Sequence, residues 1–228
     1  MKPDQQHEAA IVESWHANVQ PWVRAVREGQ IESRRLATDT AIVAALLDRA
    51  PRSVLDIGCG EGWLARALAQ RNIRVVGIDA VAELVQAARQ AGAGEFHVLD
   101  YAELAKGRLP LAVDAVVCNF SLLGDDSTAT LLGAVPGLLN PGGCLVVQTL
   151  HPLQACADQP YGDGWREGSW QGFSADFHKP APWYFRTLES WITLFSRAGL
   201  HLRALREPLD PRTGRPASVI FIAVPATA

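Results

Sequence analysis

Apolar positions along this chain change period near residue 53. Before it, Ile11, Trp15, Val19, Trp22, Val23 and Val26 recur at roughly helical spacing over residues 8 to 28. Pro21 predicts a break there, giving two short helices that share one apolar face. A third helix is predicted to start at Thr38, a candidate N-cap, and to run through Ile42, Val43, Ala45, Leu46 and Leu47 until Pro51 stops it. After it come short uninterrupted apolar runs separated by helical stretches, as expected for parallel strands covered on both faces. Strands are predicted over residues 53–57, 73–78, 95–99, 113–118 and 144–149, with helices at 64–69, 83–91 and 129–139 between them. Asn140-Pro141-Gly142-Gly143 is predicted to be a turn. Residues 151 to 186 break the alternation with Pro, Gly, His and aromatics, and a connection of that length implies a functional insertion. A helix at 188–198 and strands at 200–205 and 218–224 follow, and the short link between those strands requires antiparallel pairing.

The pattern therefore predicts an α/β, Rossmann-like doubly wound sheet of seven strands. It is mostly parallel with an antiparallel last strand, and helices cover both faces. Residues 1–50 form a helical cap or flank, and residues 51–228 form the core with its aromatic-rich insertion at about 151–186.

Composition narrows the class. With 228 residues, 48% of them hydrophobic and 20% charged, the chain suits one generous domain with a small cap. No apolar run is long enough for a membrane helix and the first residues lack a signal-peptide core, so a cytoplasmic protein without membrane contact is expected. A net charge of −3 gives no general attraction to nucleic acid. Cys59, Cys118, Cys144 and Cys156 have neither metal-ligand nor disulfide-framework spacing and read as reduced structural thiols.

The run Asp56-Ile57-Gly58-Cys59-Gly60-Glu61-Gly62 leaves a strand and enters a helix. Three glycines there let a ligand approach bare main chain, at an entropic cost that an empty turn would not repay. Asp79 ends the next strand about 20 residues later, where a carboxylate can accept from two ribose hydroxyls or cap the following helix. A dinucleotide fingerprint needs its third glycine one residue later, where Trp63 stands, so a nicotinamide oxidoreductase is the weaker reading.

On Asp56 to Gly62, Asp79 and the closing strand pair, the chain resembles the class I S-adenosylmethionine-dependent methyltransferases over about residues 53 to 225. The resemblance implies S-adenosyl-L-methionine as cofactor. It places the loop Gly58, Cys59 and Gly60 against the methionine part and Asp79 at the ribose, and it counts Asp56, Gly62 and Ala80 among the cofactor-binding residues. Asp100 and Tyr101 fall at the adenine by the same resemblance, and Asn119 and Phe120 line the methionyl end near the transferable methyl. As alternatives, Asp100 is a helix cap and Asn119 a turn residue.

Methyl transfer by in-line displacement needs an aligned acceptor and exclusion of water more than it needs covalent help. His151, directly after the fifth predicted strand, is the first candidate base, with His178 and Tyr184 behind it; Arg186 suits an acidic group on the substrate. His151 reads equally as a structural hydrogen-bonder. Trp15, Trp22 and the insertion's aromatics could face a sulfonium cation, and Trp191 reads as core. Asp125-Asp126 has no third ligand at useful spacing, so a helix cap is expected there and no metal. Asn119-Phe120-Ser121-Leu122 departs from the Asn-Pro-Pro-aromatic signature of enzymes that methylate exocyclic base amines, which again points away from nucleic acid. A small-molecule acceptor is expected, with a non-catalytic cofactor-binding module as the alternative from another class. Oligomeric state is not encoded legibly.

Overall fold

The computed structural model describes residues 3–226. Two helices open it, α1 (Pro3–Ala17) and α2 (Val19–Arg27), and α3 (Asp39–Leu47) follows a π-helical segment over Arg34–Thr38. The alternating part comprises β1 (Ser53–Ile57), α4 (Trp63–Ala69), β2 (Arg74–Asp79), α5 (Ala82–Ala91), β3 (Glu95–Val98), α6 (Tyr101–Ala105), β4 (Val113–Asn119), α7 (Asp126–Ala134) and β5 (Leu139–Thr149). A short α8 (Pro152–Ala155) leads into the insertion, which contains β6 (Gly164–Arg166) and β7 (Trp183–Phe185). The chain closes on α9 (Leu188–Arg197), β8 (Leu200–Arg206) and β9 (Val219–Pro225).

Seven strands form one sheet in the order β3-β2-β1-β4-β5-β9-β8. β1 pairs in parallel with β2 and β4, and β9 runs antiparallel against β5 and β8. The chain order reverses between β1 and β4, the topological switch point where α/β sheets bind their ligands. Every residue of β1 is buried, which is why its sequence is an apolar run and not an alternation. One face packs Leu55, Ile57, Val116, Leu145, Val147 and Phe221 on Trp191 and Phe195 of α9, so Trp191 is core as expected. The opposite face packs Val54, Val75, Val117 and Val146 on Ile42 and Leu46 of α3 and Leu64 and Leu68 of α4.

Four local expectations are corrected. The break between the first two helices falls at Asn18, and Pro21 sits inside the first turn of α2, where a missing N–H costs nothing. Thr38 does not cap a helix: its φ of −77° and ψ of −33° are helical, and the chain is already wound from Arg34. Asn140 to Gly143 is no free turn, because β5 already pairs at Leu139 with Val113 and resumes at Cys144 with Ala115. The extra residues bulge from the strand with Gly142 at a φ of 78°, and Asn140 Nδ2 donates to Asp114 across it at 2.8 Å. The helix expected to reach residue 139 ends at Ala134, and Pro136 lies in the 3-10 turn that follows. The insertion holds an antiparallel pair, β6 with β7, that no periodicity announced.

Candidate functional site

The residues singled out from the glycine motif converge at the C-terminal edge of β1 and β2. Gly58, Gly60 and Gly62 all adopt left-handed φ, at 74°, 55° and 80°. A side chain at Gly58 would drive its Cβ into that of Ser121, which follows β4. At Gly60 the nearest atom to such a Cβ is the indole nitrogen of Trp22, at 3.4 Å. Backbone N–H groups of Gly58 and Cys59 both donate to the Ile78 carbonyl, pinning the loop to the end of β2. Asp79 then ties the loop from the other side: Oδ2 accepts from Gly60 N and Oδ1 from Val81 N, both at 2.9 Å. The amide of Ala80 also donates to it. Asp79 is thus both an N-terminal anchor for α5 and a carboxylate at the ligand edge.

Asp56 lies one layer beneath, 2% exposed. Burial first, and the neighbouring charge of Asp79 second, push its carboxyl up to about 7. Burial likewise raises Asp79 and the Cys59 thiol. Two buried carboxyls beside one glycine loop favour a cation between them. Glu61, wholly buried, is not part of that pair. It is held by Arg66 at 2.6 Å and by Arg27 of α2 at 3.0 Å, a clamp from cap to loop that the sequence reading missed.

At the end of β3, Asp100 Oδ1 accepts from Glu103 N at 2.7 Å, so Asp100 does cap α6, and its exposed carboxylate keeps a second oxygen. Tyr101 reaches across and donates to the Ser121 carbonyl at 2.9 Å; burial holds its phenol protonated. At the end of β4, Asn119 Oδ1 accepts from Gln148 Nε2, and Phe120 sits at a φ of 55°, an uncommon conformation for an aromatic residue. The Gln148 carbonyl accepts the Phe120 N–H at 2.8 Å and helps hold it there.

Of the candidate catalytic residues, His151 and Arg186 are engaged by other protein groups, and Tyr184 lies beside Phe120. His151 is buried, its Nδ1 accepts from Leu153 N, and its Nε2 therefore carries the proton donated to Glu207 at 2.8 Å. Arg186 is also buried. It donates to the Gly124 carbonyl and to the carbonyl and carboxylate of Asp125, and it lies 4.7 Å from the centre of the Tyr184 ring. Its charge is spent inside the protein. Tyr184 joins Phe120, Leu122, Thr149, Trp183 and Trp191 around a small apolar pocket beside the β4 and β5 ends, and burial raises its phenol. The cap expected from Asp125 is corrected: its side chain makes no capping bond, and Glu8 of α1 accepts instead from Asp125 N and Ser127 N. Gly124 leaves room for that carboxylate, since a Cβ there would collide with it.

α1 crosses the strand ends. Glu8 meets the start of α7, beyond β4, and His16 approaches Glu83 of α5, beyond β2, at 3.3 Å. Eight residues of helix span about 12 Å and two strand spacings about 10 Å, so α1 bridges the edge where Gly58 and Asp79 lie.

That arrangement agrees with the comparisons. Residues 54–143 match the family described as "Methyltransferase domain". An uncharacterized methyltransferase of Mycobacterium tuberculosis is 36% identical over 110 residues, covering 48% of this chain and 56% of that protein. A ubiquinone biosynthesis O-methyltransferase of Xylella fastidiosa is 38% identical over 102 residues, covering 43% and 42%. The chain thus spans about half the length of the curated relatives it matches. Among solved structures, the 1,6-didemethyltoxoflavin-N1-methyltransferase of Burkholderia thailandensis superposes with a TM-score of 0.70 at 18% identity, over 100% of this chain and 92% of that one. An S-adenosylmethionine-dependent methyltransferase of Mesorhizobium loti gives 0.60 at 22% identity, over 79% and 95%. Together with the sheet order, these matches make the fold that of the class I S-adenosylmethionine-dependent methyltransferases.

Proposed function

We propose that the chain is an S-adenosylmethionine-dependent methyltransferase acting on a small molecule. The observation that carries this reading is the left-handed glycine cradle with Asp79 bonded to it, at the switch point of a class I sheet. The cradle fits the cofactor in kind. Gly58 and Gly60 expose main chain, and Asp79 presents acceptors suited to vicinal hydroxyls. Asp100 and Tyr101 stand at the adenine side, and Asn119 and Phe120 at the methionyl side. The bound cofactor would supply a methyl group already activated as a sulfonium.

The chain's own work is then positioning and desolvation. Trp22 closes over Gly60, and Phe120 projects where β4 meets the apolar pocket. Arg186 holds the Gly124–Asp125 loop and has no charge to spare for a substrate acid. The raised phenol of Tyr184 makes it a hydrogen-bond donor to an acceptor oxygen or nitrogen, and a poor base. A small acceptor suits the aromatic pocket, and the two relatives with named pathways act in the synthesis of ubiquinone and on 1,6-didemethyltoxoflavin. A cofactor-binding module without turnover is the second reading, favoured by His151, whose two ring nitrogens are both engaged.

Calorimetry with S-adenosylhomocysteine, followed by a screen of phenolic and heterocyclic acceptors for release of the demethylated cofactor, tests both. Binding with turnover is expected; no heat at millimolar ligand ends the cofactor reading, and binding without turnover on any acceptor selects the module.

A further inference from the structure

Gln148 is a fully buried amide next to the end of β5, after the apolar run 144–147, and burying such a group is costly unless every hydrogen-bonding atom is met. Its partners fix its orientation without ambiguity. The Thr38 carbonyl, 3.1 Å away, can only accept, so the side of Gln148 facing it must be the amide nitrogen. Ser218 Oγ lies 3.3 Å from Oε1 on the other side and donates to it. The same Nε2 stands 2.8 Å from the side chain of Asn119, its parallel partner in β4. Both Nε2 hydrogens are used by these two contacts, so Asn119 must turn its oxygen toward Gln148 and its own NH₂ away from it. That NH₂ has no protein acceptor among the described residues, and Asn119 is only half-buried. Polarity is thus handed from a backbone carbonyl in the π-helical turn, through Gln148, to two outward N–H donors.

Two further groups lie on the same side. The hydroxyl of Thr38 is buried without a partner among the described residues. Arg34, one turn earlier, pairs with Asp39 at 2.9 Å and rests its guanidinium 4.6 Å from the centre of the Trp63 ring, so its charge is already matched. The outward N–H donors of Asn119, at the end of the strand paired with β1, match an anionic oxygen.

We infer that Gln148 is a positioning residue: it locks the Asn119 amide so that its N–H groups bind the amino-acid carboxylate of the cofactor. This rests on the cofactor reading above, and it goes further by giving an orientation to a residue that would otherwise be free to flip. Because the Gln148 carbonyl also holds Phe120 N, one residue sets both neighbours at the methionyl end.

The test compares the affinity of S-adenosylhomocysteine with that of 5′-methylthioadenosine, which shares the adenosine but lacks the amino-acid tail. Calorimetry gives the ratio for wild type, Asn119→Asp and Gln148→Met, with thermal unfolding recorded for each. Wild type is expected to prefer the homocysteine ligand. Asn119→Asp still accepts from Gln148 but turns a carboxylate outward, and should cut that preference about tenfold or more. Gln148→Met frees the amide to flip and should cut it about threefold, with methylthioadenosine affinity unchanged. A purely structural Gln148 would lower the unfolding temperature and leave the ratio alone. An unchanged ratio in Gln148→Met, with both ligands still binding, overturns this inference by itself. Failure of both ligands to bind wild type removes the cofactor reading, and this inference with it.

Discussion

The strand-end cradle and the structure laid over it are held together by different means. In the cradle, the ties are short-range and backbone-based: Gly58 and Cys59 on Ile78, and Asp79 on Gly60, within about one strand–helix–strand unit. The cover joins α1 and α2 to the insertion through side chains. Asn18 bonds both the carbonyl and the amide of His178, Trp165 Nε1 donates to Asp4, Trp15 meets Trp170 edge-on, and Arg24 pairs with Asp176. Most of these contacts are exposed, where an ion pair contributes little, and wholly buried Asn18 is the exception. The cradle is tied mainly by its own main chain, and the cover reaches it through the Arg27–Glu61 clamp.

Breaking the cradle should give the largest effect. Gly58→Ala forces a left-handed φ on alanine and a collision with Ser121, and cofactor affinity is expected to fall more than about 100-fold by calorimetry. Breaking the cover comes next. Asn18→Ala removes three buried hydrogen bonds and should cost about 2 kcal/mol in denaturant unfolding, while residues 164–186 become cleavable in limited proteolysis. Equal protease resistance would mean that cover and insertion do not act together. Asp79→Ala should lower cofactor affinity about tenfold, or about 1.4 kcal/mol, and unchanged affinity would refute its place at the ribose. The smallest effect is on pH dependence. Asp56 holds its proton up to about 7 in the folded chain and to the ordinary carboxylate value when unfolded. The folded state therefore binds more protons between those values, and the stability Asp56 contributes is lost as pH rises through that window. Asp56→Asn should flatten the unfolding profile there. A wild-type profile that rises with pH across the window would contradict the buried carboxyl.

The two regions were also unequally legible. The seven strands and the glycine loop could be read because burial on both faces leaves an apolar run, and because left-handed backbone selects glycine. The loop's acidic partner Asp79 followed from spacing. What could not be read depends on residues that meet only in the folded chain. Glu8 caps α7 across 117 positions, which no local pattern records, and Asp125 stood where a cap was expected. Gln148 lies in an otherwise apolar strand, where periodicity says only that it is buried. His151 was found at the right strand end, yet its chemistry is decided by Glu207, 56 residues away.

The fastening of α1 has a consequence for how the protein is made. Ser14 bonds Lys179 across 165 residues, and Lys179 pairs with Glu13 across 166. A ribosome releases α1 long before the segment it grips has been translated: Trp15 can pack early on Val81 and Leu84, but the bonds to His178 and Lys179 must wait. The strands β1 to β5 can pair as they emerge, whereas the cover waits for residues 176–179, and β8 and β9 complete the sheet later still.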